Sequence, residues 1–496
     1  MTKVGGLIPS SLTVPGYRPD IDGLRAVAIL AVVAYHAFPQ NIHGGYIGVD
    51  VFFVISGYLI SSILFREMHE HRYDIVDFYV RRLRRIFPSL LLVLISSLIF
   101  GWFGLLAVDY AQLGQHVASG AGFVSNLLLL HEVGYFDRSA VLKPLLHLWS
   151  LAIEEQFYIV WPLLLWLAYR LKIRFVIVTA LLMFASIAVF AIGHASSPII
   201  AFYSPAARGW ELLAGAMLAI GAIHGPAPAA SKTRRHLSSI VGLAFIMVGA
   251  ISITSNSSFV IAYLLPVLGA LLLIWSGKAA FVNRFVLSQP TMVWIGLISY
   301  PLYLWHWPLL SLAHVVLGEE PSLFTRALLV LIAFFLAWMT YRYVEQPLRK
   351  GGRRLAMGLC GGMVLTGCLG FGVSSMAGIA ARPYNVVNRG VSEALSFNWR
   401  TAFRDGTCFL NDDGSHKVAF GKICSPARRA NEALVVLWGD SHAASLYQGL
   451  VAEAIDRHFV LAQLTASGCP PILNFVVKNR PTCTAVNRLA FQRFAR

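Results

Sequence analysis

Apolar residues run along this chain in stretches of about 17–25, broken by short polar segments, which is the length a helix needs to cross a bilayer. Eleven such stretches can be read, at about 20–37, 46–65, 88–107, 146–168, 174–193, 206–223, 238–255, 258–276, 291–314, 322–345 and 355–379. After residue 380 the pattern changes. Residues 380–433 are mixed polar and Gly-containing, and read as a linker or as an extension packed on the domain C-terminal to it. Leu434-Val-Val-Leu-Trp438 is a short buried-strand pattern, closed by Gly439-Asp440-Ser441-His442. A helical pattern follows to about Asp456, then a second strand from Phe459 to Leu464. Strand, tight turn, helix, strand opens a parallel α/β layer. The expected fold class is an all-α polytopic membrane protein of about eleven transmembrane helices, followed by an α/β domain. Its expected divisions are 1–379, 380–433 and 434–496.

Composition agrees with the pattern. The chain is 57% hydrophobic and only 13% charged, with a mean hydropathy of +0.65. A soluble protein of 496 residues would not be this apolar. The net charge of +16 would suit nucleic acid, but the cations sit in short clusters between apolar runs, so no nucleic-acid partner is expected. With the N-terminus in the cytoplasm, the inner segments hold twenty Lys and Arg, from Lys3 to Arg354, and the outer loops hold Arg138 and Lys143. That bias sets the orientation, and an odd number of spans places everything after residue 380 outside the cytoplasm. The first apolar stretch comes after polar residues, carries Arg25 and leads into another span, so it is expected to stay in the membrane and not to be removed as a signal peptide. Four of the six cysteines, Cys408, Cys424, Cys469 and Cys483, lie in the tail. An oxidising compartment favours the pairs Cys408–Cys424 and Cys469–Cys483, each closing a short loop; four reduced thiols is the alternative.

The first span carries the sharpest chemistry. Arg25 and His36 are eleven residues apart, on about the same helix face and roughly 16 Å apart along the axis. Ionisable groups within a span are costly and mark function by default. For Arg25 two readings stand, an ion pair with Asp22 three residues before it, or a cavity that receives an anionic group from the cytoplasm. For His36 they are a packed interfacial ring or a general base for a hydroxyl. Asp50, at the start of the second span, either orients His36 or sits at a helix N-terminus favoured by the dipole. Between Phe78 and Pro88 lie Arg81, Arg82, Arg84 and Arg85. Arg82 and Arg85 share a helix face and suit the phosphates of a CoA thioester; anionic lipid is the other partner such a cluster serves. His147 and Glu154 share a face of the fourth span, and Glu155 points away from it. Arg208 and Glu211 add charge to the sixth, and Tyr300, Tyr303, Trp305, His306 and Trp307 crowd the ninth. Trp305 and Trp307 read as an interfacial belt. In the tail, Ser441 sits where a strand-to-helix turn exposes a nucleophile near backbone N–H groups; neighbouring His442 is poorly placed as its partner.

Together these residues resemble acyltransferase family 3 of membrane proteins over about 18–348. The likeness rests on Arg25 and His36, on Gly48-Val-Asp50-Val-Phe-Phe-Val-Ile-Ser56-Gly57-Tyr58-Leu59, and on Arg82-x-x-Arg85 before Pro88. Trp149-Ser-Leu-Ala-Ile-Glu154-Glu-Gln156-Phe157-Tyr158, Arg208-Gly-Trp210-Glu211-Leu-Leu-Ala-Gly215 and Glu345-Gln-Pro347 extend it. The resemblance implies transfer of an acyl group, usually acetyl from acetyl-CoA, to an extracytoplasmic polysaccharide or lipid-linked glycan, with lipopolysaccharide O-antigen the first expectation and exopolysaccharide and peptidoglycan open. It implies a multi-pass protein of a bacterial inner membrane in contact with its lipids, its tail periplasmic, needing no metal. The tail resembles the SGNH hydrolase-like domains fused to part of this family, an α/β three-layer fold, through Val435-Val-Leu-Trp-Gly439-Asp440-Ser441-His442-Ala443. There Ser441 would be the nucleophile. No Asp-x-x-His comes after it, since Asp456 is followed by Arg457, His458 and Phe459. A truncated or an inactive tail domain is therefore expected. Two rival readings are a transporter of an acyl donor or lipid-linked sugar, and a periplasmic esterase with a large membrane anchor.

Overall fold

The computed structural model describes residues 17–494 except 71, 133–138, 224–230, 253–262, 389, 391–397, 412–418, 428–431, 478–479 and 481. Lys3 and Arg138 of the charge count, and parts of the stretches expected at 238–255, 258–276 and 380–433, lie outside the described residues. The chain divides into two units, 1–389 and 390–496.

The first unit is helical. Its helices are α1 (Pro19–Ala37), α2 (Gly48–His69), α3 (Ile75–Gly104), α4 (Ala107–Ala121), α5 (Ser125–Glu132), α6 (Leu148–Arg170), α7 (Phe175–Ser196) and α8 (Pro198–Tyr203). They continue with α9 (Pro205–Ile223), α10 (Lys232–Ser252), α11 (Leu265–Ser276), α12 (Pro290–Leu297), α13 (Ser299–Leu317), α14 (Leu323–Met339), α15 (Gln346–Arg349), α16 (Arg353–Ser375) and α17 (Pro383–Val387). Among the described residues, seven helices are long and apolar enough to cross a membrane: Gly45–His69, Ile75–Gly104, Leu148–Arg170, Phe175–Ala195, Lys232–Ser252, Leu323–Arg349 and Arg353–Ser375. The protein is thus a multi-pass membrane protein. Helices also occupy the other expected stretches, but α11 has only 12 residues and the pair α12–α13 breaks at Ile298.

Two differences from the sequence pattern bear on function. The arginine run is not a loop before a span. It forms early turns of α3, which Asp74 caps by accepting from the backbone N–H groups of Val76 and Asp77 at 2.8 and 3.2 Å. Pro88 therefore lies inside that helix, as Pro162 lies inside α6 and Pro308 inside α13. Each lacks the N–H that would bond the carbonyl four residues earlier, on Arg84, Tyr158 and Leu304. Second, α4 and α5 fill a region expected to be mostly loop. α4 is half polar, and its His116, Ser119 and Gly120 are buried against protein, not lipid.

Helices α2 and α9 approach most closely where glycines meet backbone. A Cβ on Gly57 would lie 1.8 Å from the Leu212 carbonyl oxygen, and one on Gly215 2.1 Å from that of Val54. Small residues let membrane helices touch at this range. By contrast Leu181, Phe184 and Ile192 of α7 stand outward and exposed, as lipid-facing residues do.

The second unit contains α18 (Trp399–Phe403), β1 (Phe409–Leu410), β2 (Ala433–Gly439), α19 (Ser441–Ser445), α20 (Tyr447–Asp456), β3 (Phe459–Ala466) and α21 (Cys483–Phe494). The strands form a parallel sheet in the order β1-β3-β2, with Ala433 opposite Phe459 and Gly439 opposite Thr465. Both expected disulfides are present, Cys408–Cys424 and Cys469–Cys483. Part of the stretch 380–433 is packed on this unit, since β1 supplies its edge strand.

Candidate active site

A cavity of about 270 Å³ lies among α1, α2, α3, α6 and α13. Arg25, Arg82, Arg85, Glu154, Glu155 and Tyr158 all line it. The three-residue spacing that puts Arg82 and Arg85 on one face of α3 aims both inward. Arg81 pairs outside with Glu67, and Arg84 turns back to the Val80 carbonyl at 3.3 Å. The Arg82 guanidinium rests 5.0 Å above the Tyr158 ring and 5.8 Å from that of Phe78, which holds it without neutralising it. Arg25 meets Asp22 at 3.3 Å and also lines the cavity. Glu154 accepts hydrogen bonds from Ser56 and Tyr158. Buried Glu155 has an oxygen, Oε1, with no hydrogen-bond partner among the described residues.

His36, at the other end of α1, lines a second cavity of about 270 Å³ with Trp307, Ser311, His314, Glu320 and Arg326. Its Nδ1 lies 3.0 Å from Nε2 of His306, and the two rings stack at 5.2 Å. The indole of Trp307 closes on the His36 ring at 4.4 Å and donates its N–H to the Lys143 carbonyl at 2.9 Å. His147 stands edge-on to His306 at 5.8 Å and 5.2 Å from the Tyr303 ring. The Tyr303 hydroxyl donates to the His147 carbonyl at 2.7 Å and meets Ser150 Oγ at 2.6 Å. Tyr303 and Ser150 also line the first cavity. Tyr303, His147, His306 and His36 thus stand in successive ring contacts between the two cavities, Tyr303 lining the first and His36 the second.

Three expectations are corrected. Asp50 does not orient His36. Its carboxylate binds Arg208, which also reaches Glu211 at 3.2 Å, and all three are buried. The rings of Phe53, Trp149, Phe202 and Tyr263 stand 5.1–5.8 Å from the Arg208 guanidinium. These three charges tie α2 to α9 and line neither cavity. His147, Glu154, Arg208 and Glu211 do not form one polar cavity, for only Glu154 lines the arginine cavity. Trp307 is no interfacial belt residue, being 5% exposed and serving as a wall of the His36 site. The Trp305 indole donates to Thr340 at 3.0 Å. Sequence reading also gave no role to His306 or Ser56. Each meets its partner across a long separation, 270 residues for His306 and 98 for Ser56, and periodicity within one helix carries no signal for that.

In the second unit, Ser441 opens α19 directly after β2 and is 8% exposed. Asp440 caps that helix by accepting from the His442 backbone N–H at 2.9 Å. Gly439 makes the turn at φ +155°, where an added Cβ would come within 2.8 Å of that of Ala443.

The helical membrane unit thus carries basic side chains in one interior cavity and a histidine pair at another, and ionisable groups so placed mark function by default. The chain belongs to the acyltransferase domain family, whose model matches residues 18–342. Residues 405–496 match the SGNH domain found fused to such domains. Among curated proteins it is similar to the peptidoglycan O-acetyltransferase OatA of Listeria monocytogenes, 33% identical over 354 residues, which are 68% of this chain and 56% of that protein. The putative peptidoglycan O-acetyltransferase YrhL of Bacillus subtilis is 32% identical over 355 residues, again 68% and 56%. The O-acetyltransferase OatA of Staphylococcus aureus is 31% identical over 362 residues, 68% of this chain and 58% of that one. The chain thus spans little more than half the length of these relatives. No solved structure matches it.

Proposed function

We propose that this protein is an O-acetyltransferase that carries an acetyl group from cytoplasmic acetyl-CoA to a hydroxyl of an extracytoplasmic glycan. The observation that carries this reading is the line of ring contacts between two cavities, with three arginines lining the first and His36 the second. The residues fit a CoA thioester. Arg82 and Arg85 present planar guanidinium groups suited to phosphate, and Arg25 lines the same cavity, beside Glu154 and Glu155. The cavity would hold phosphates at its arginines, with the pantetheine arm reaching on toward His36 to present the thioester there. At the other end His36 would accept the proton of a sugar hydroxyl that enters beside Trp307, His314 and Arg326. The bias of cations toward one side supports a cytoplasmic N-terminus and an extracytoplasmic second unit, whose two disulfides need an oxidising compartment. Ser441 would then act on the glycan side, as a nucleophile or as a contact to the acceptor.

The names of the relatives make peptidoglycan the first acceptor to test. Lipopolysaccharide O-antigen in a bacterial inner-membrane setting is the second, and exopolysaccharide the third. The test is O-acetyl content, by proton NMR of each purified glycan, in a deletion strain complemented with wild type, His36→Ala or Ser441→Ala. Wild type should restore the acetyl signal of one glycan and His36→Ala should not. Full acetylation by His36→Ala at equal expression would leave transport of the donor as the better reading.

A further inference from the structure

The geometry points to His306 as the positioning residue that fixes the tautomer of His36 and shares its proton, in the place usually held by a carboxylate. This rests on His36 being the base. The argument runs along one line of hydrogen bonds. His306 Nδ1 lies 3.1 Å from the carbonyl oxygen of Leu302, one turn back on α13. A carbonyl can only accept, so that nitrogen carries hydrogen. A neutral imidazole has one N–H, so His306 Nε2 holds a lone pair. That lone pair faces His36 Nδ1 at 3.0 Å, so Nδ1 of His36 must be the donor. The remaining nitrogen of His36, Nε2, is then unprotonated and ready to receive a proton.

A backbone carbonyl thus sets the state of His36 through the ring of His306, and among the described residues no carboxylate is seen bonded to either ring. The carboxylate that the sequence suggests for this place, Asp50, is held by Arg208. The Trp307 indole, anchored on the Lys143 carbonyl, keeps the His36 ring against its partner. During transfer the hydroxyl oxygen bonds to the acetyl carbon and the bond from that carbon to sulfur breaks. The hydroxyl proton goes to His36 Nε2. The Nδ1 proton of His36 can then pass to His306 Nε2, which spreads the positive charge over both rings. The proton leaves the pair with the thiol product, so none is gained or lost overall.

The test uses the full chain in detergent, with acetyl-CoA and an N-acetylglucosamine tetramer as acceptor, and compares His306→Phe, His306→Gln and His36→Ala. Phe keeps a ring without an acceptor, whereas the Gln side-chain oxygen falls near the position of Nε2 and can still accept from His36. His306→Phe should lower kcat about 100-fold, the low end of what general-base catalysis contributes. KM for acetyl-CoA should stay within about twofold, because that substrate is read at the far cavity. His306→Gln should recover at least about tenfold of the loss. Wild-type kcat in His306→Phe overturns the inference, and so does a Gln variant no better than Phe. An inactive His36→Ala beside a fully active His306→Phe removes only the role of His306. A fully active His36→Ala removes the base itself, and the proposed function with it.

Discussion

Arg82 and Asp50 show how differently a buried charge can be used within one unit. Arg82 lies over aromatic rings, with its charge turned to a cavity. Replacing Arg82 or Arg85 by Ala should raise KM for acetyl-CoA about tenfold or more, with Lys only partly effective because an ammonium lacks the planar fork. Radiolabelled acetyl-CoA binding to the purified variants checks this, and unchanged affinity would free the pair to serve lipid. Asp50 is instead locked to Arg208 inside a shell of rings. Asp50→Ala should cost about 3–5 kcal/mol, since it leaves a buried guanidinium short of a partner. The loss should appear as a lower melting temperature in detergent at every stage of purification. A stable but inactive Asp50→Ala would return the residue to the chemistry.

Among the elements, those legible in the sequence share a physical trait, in that their information is local. Apolar length marks the spans, and three-residue spacing marks the inward pair on α3. A short apolar run and its turn residues mark β2 and the Gly439 turn. The features that the sequence hides depend on contacts between distant elements. α4 reads as loop because its polar face, with buried His116 and Ser119, is covered by protein. Trp307 reads as a belt because a Trp near the end of an apolar run usually is one. Only the fold brings His36 under it. The packing of α2 on α9 gives a prediction at this scale. Gly57→Val should part the two helices, since its side chain has no room beside the Leu212 carbonyl, and Ser56, which holds Glu154, moves with it. Activity and thermal stability should then fall together, whereas a fall in activity alone would assign Gly57 to the cavity.

Over the whole molecule, the two units are stabilised by different means. The first is held by close helix packing such as that of α2 on α9, and the second carries disulfides that close loops of 16 and 14 residues. Losing one by Cys408→Ser should cost the second unit about 3 kcal/mol, visible as faster proteolysis within 390–496 while the first unit keeps its melting temperature. The three internal prolines extend the contrast to the interior of the membrane. Pro88, Pro162 and Pro308 fall on the helices that carry Arg82, Glu154 and His306, and each leaves one carbonyl without its helical donor. Away from water such oxygens are negative dipole ends that seek a donor, and His147 meets that of Leu304. Each such carbonyl adds a main-chain negative end to a helix that carries a candidate site residue. A proton shared between imidazoles gains from such ends and a free acetate ion loses. For the proposed transfer, this favours moving the acetyl group as a neutral ester or thioester once it is past the arginines.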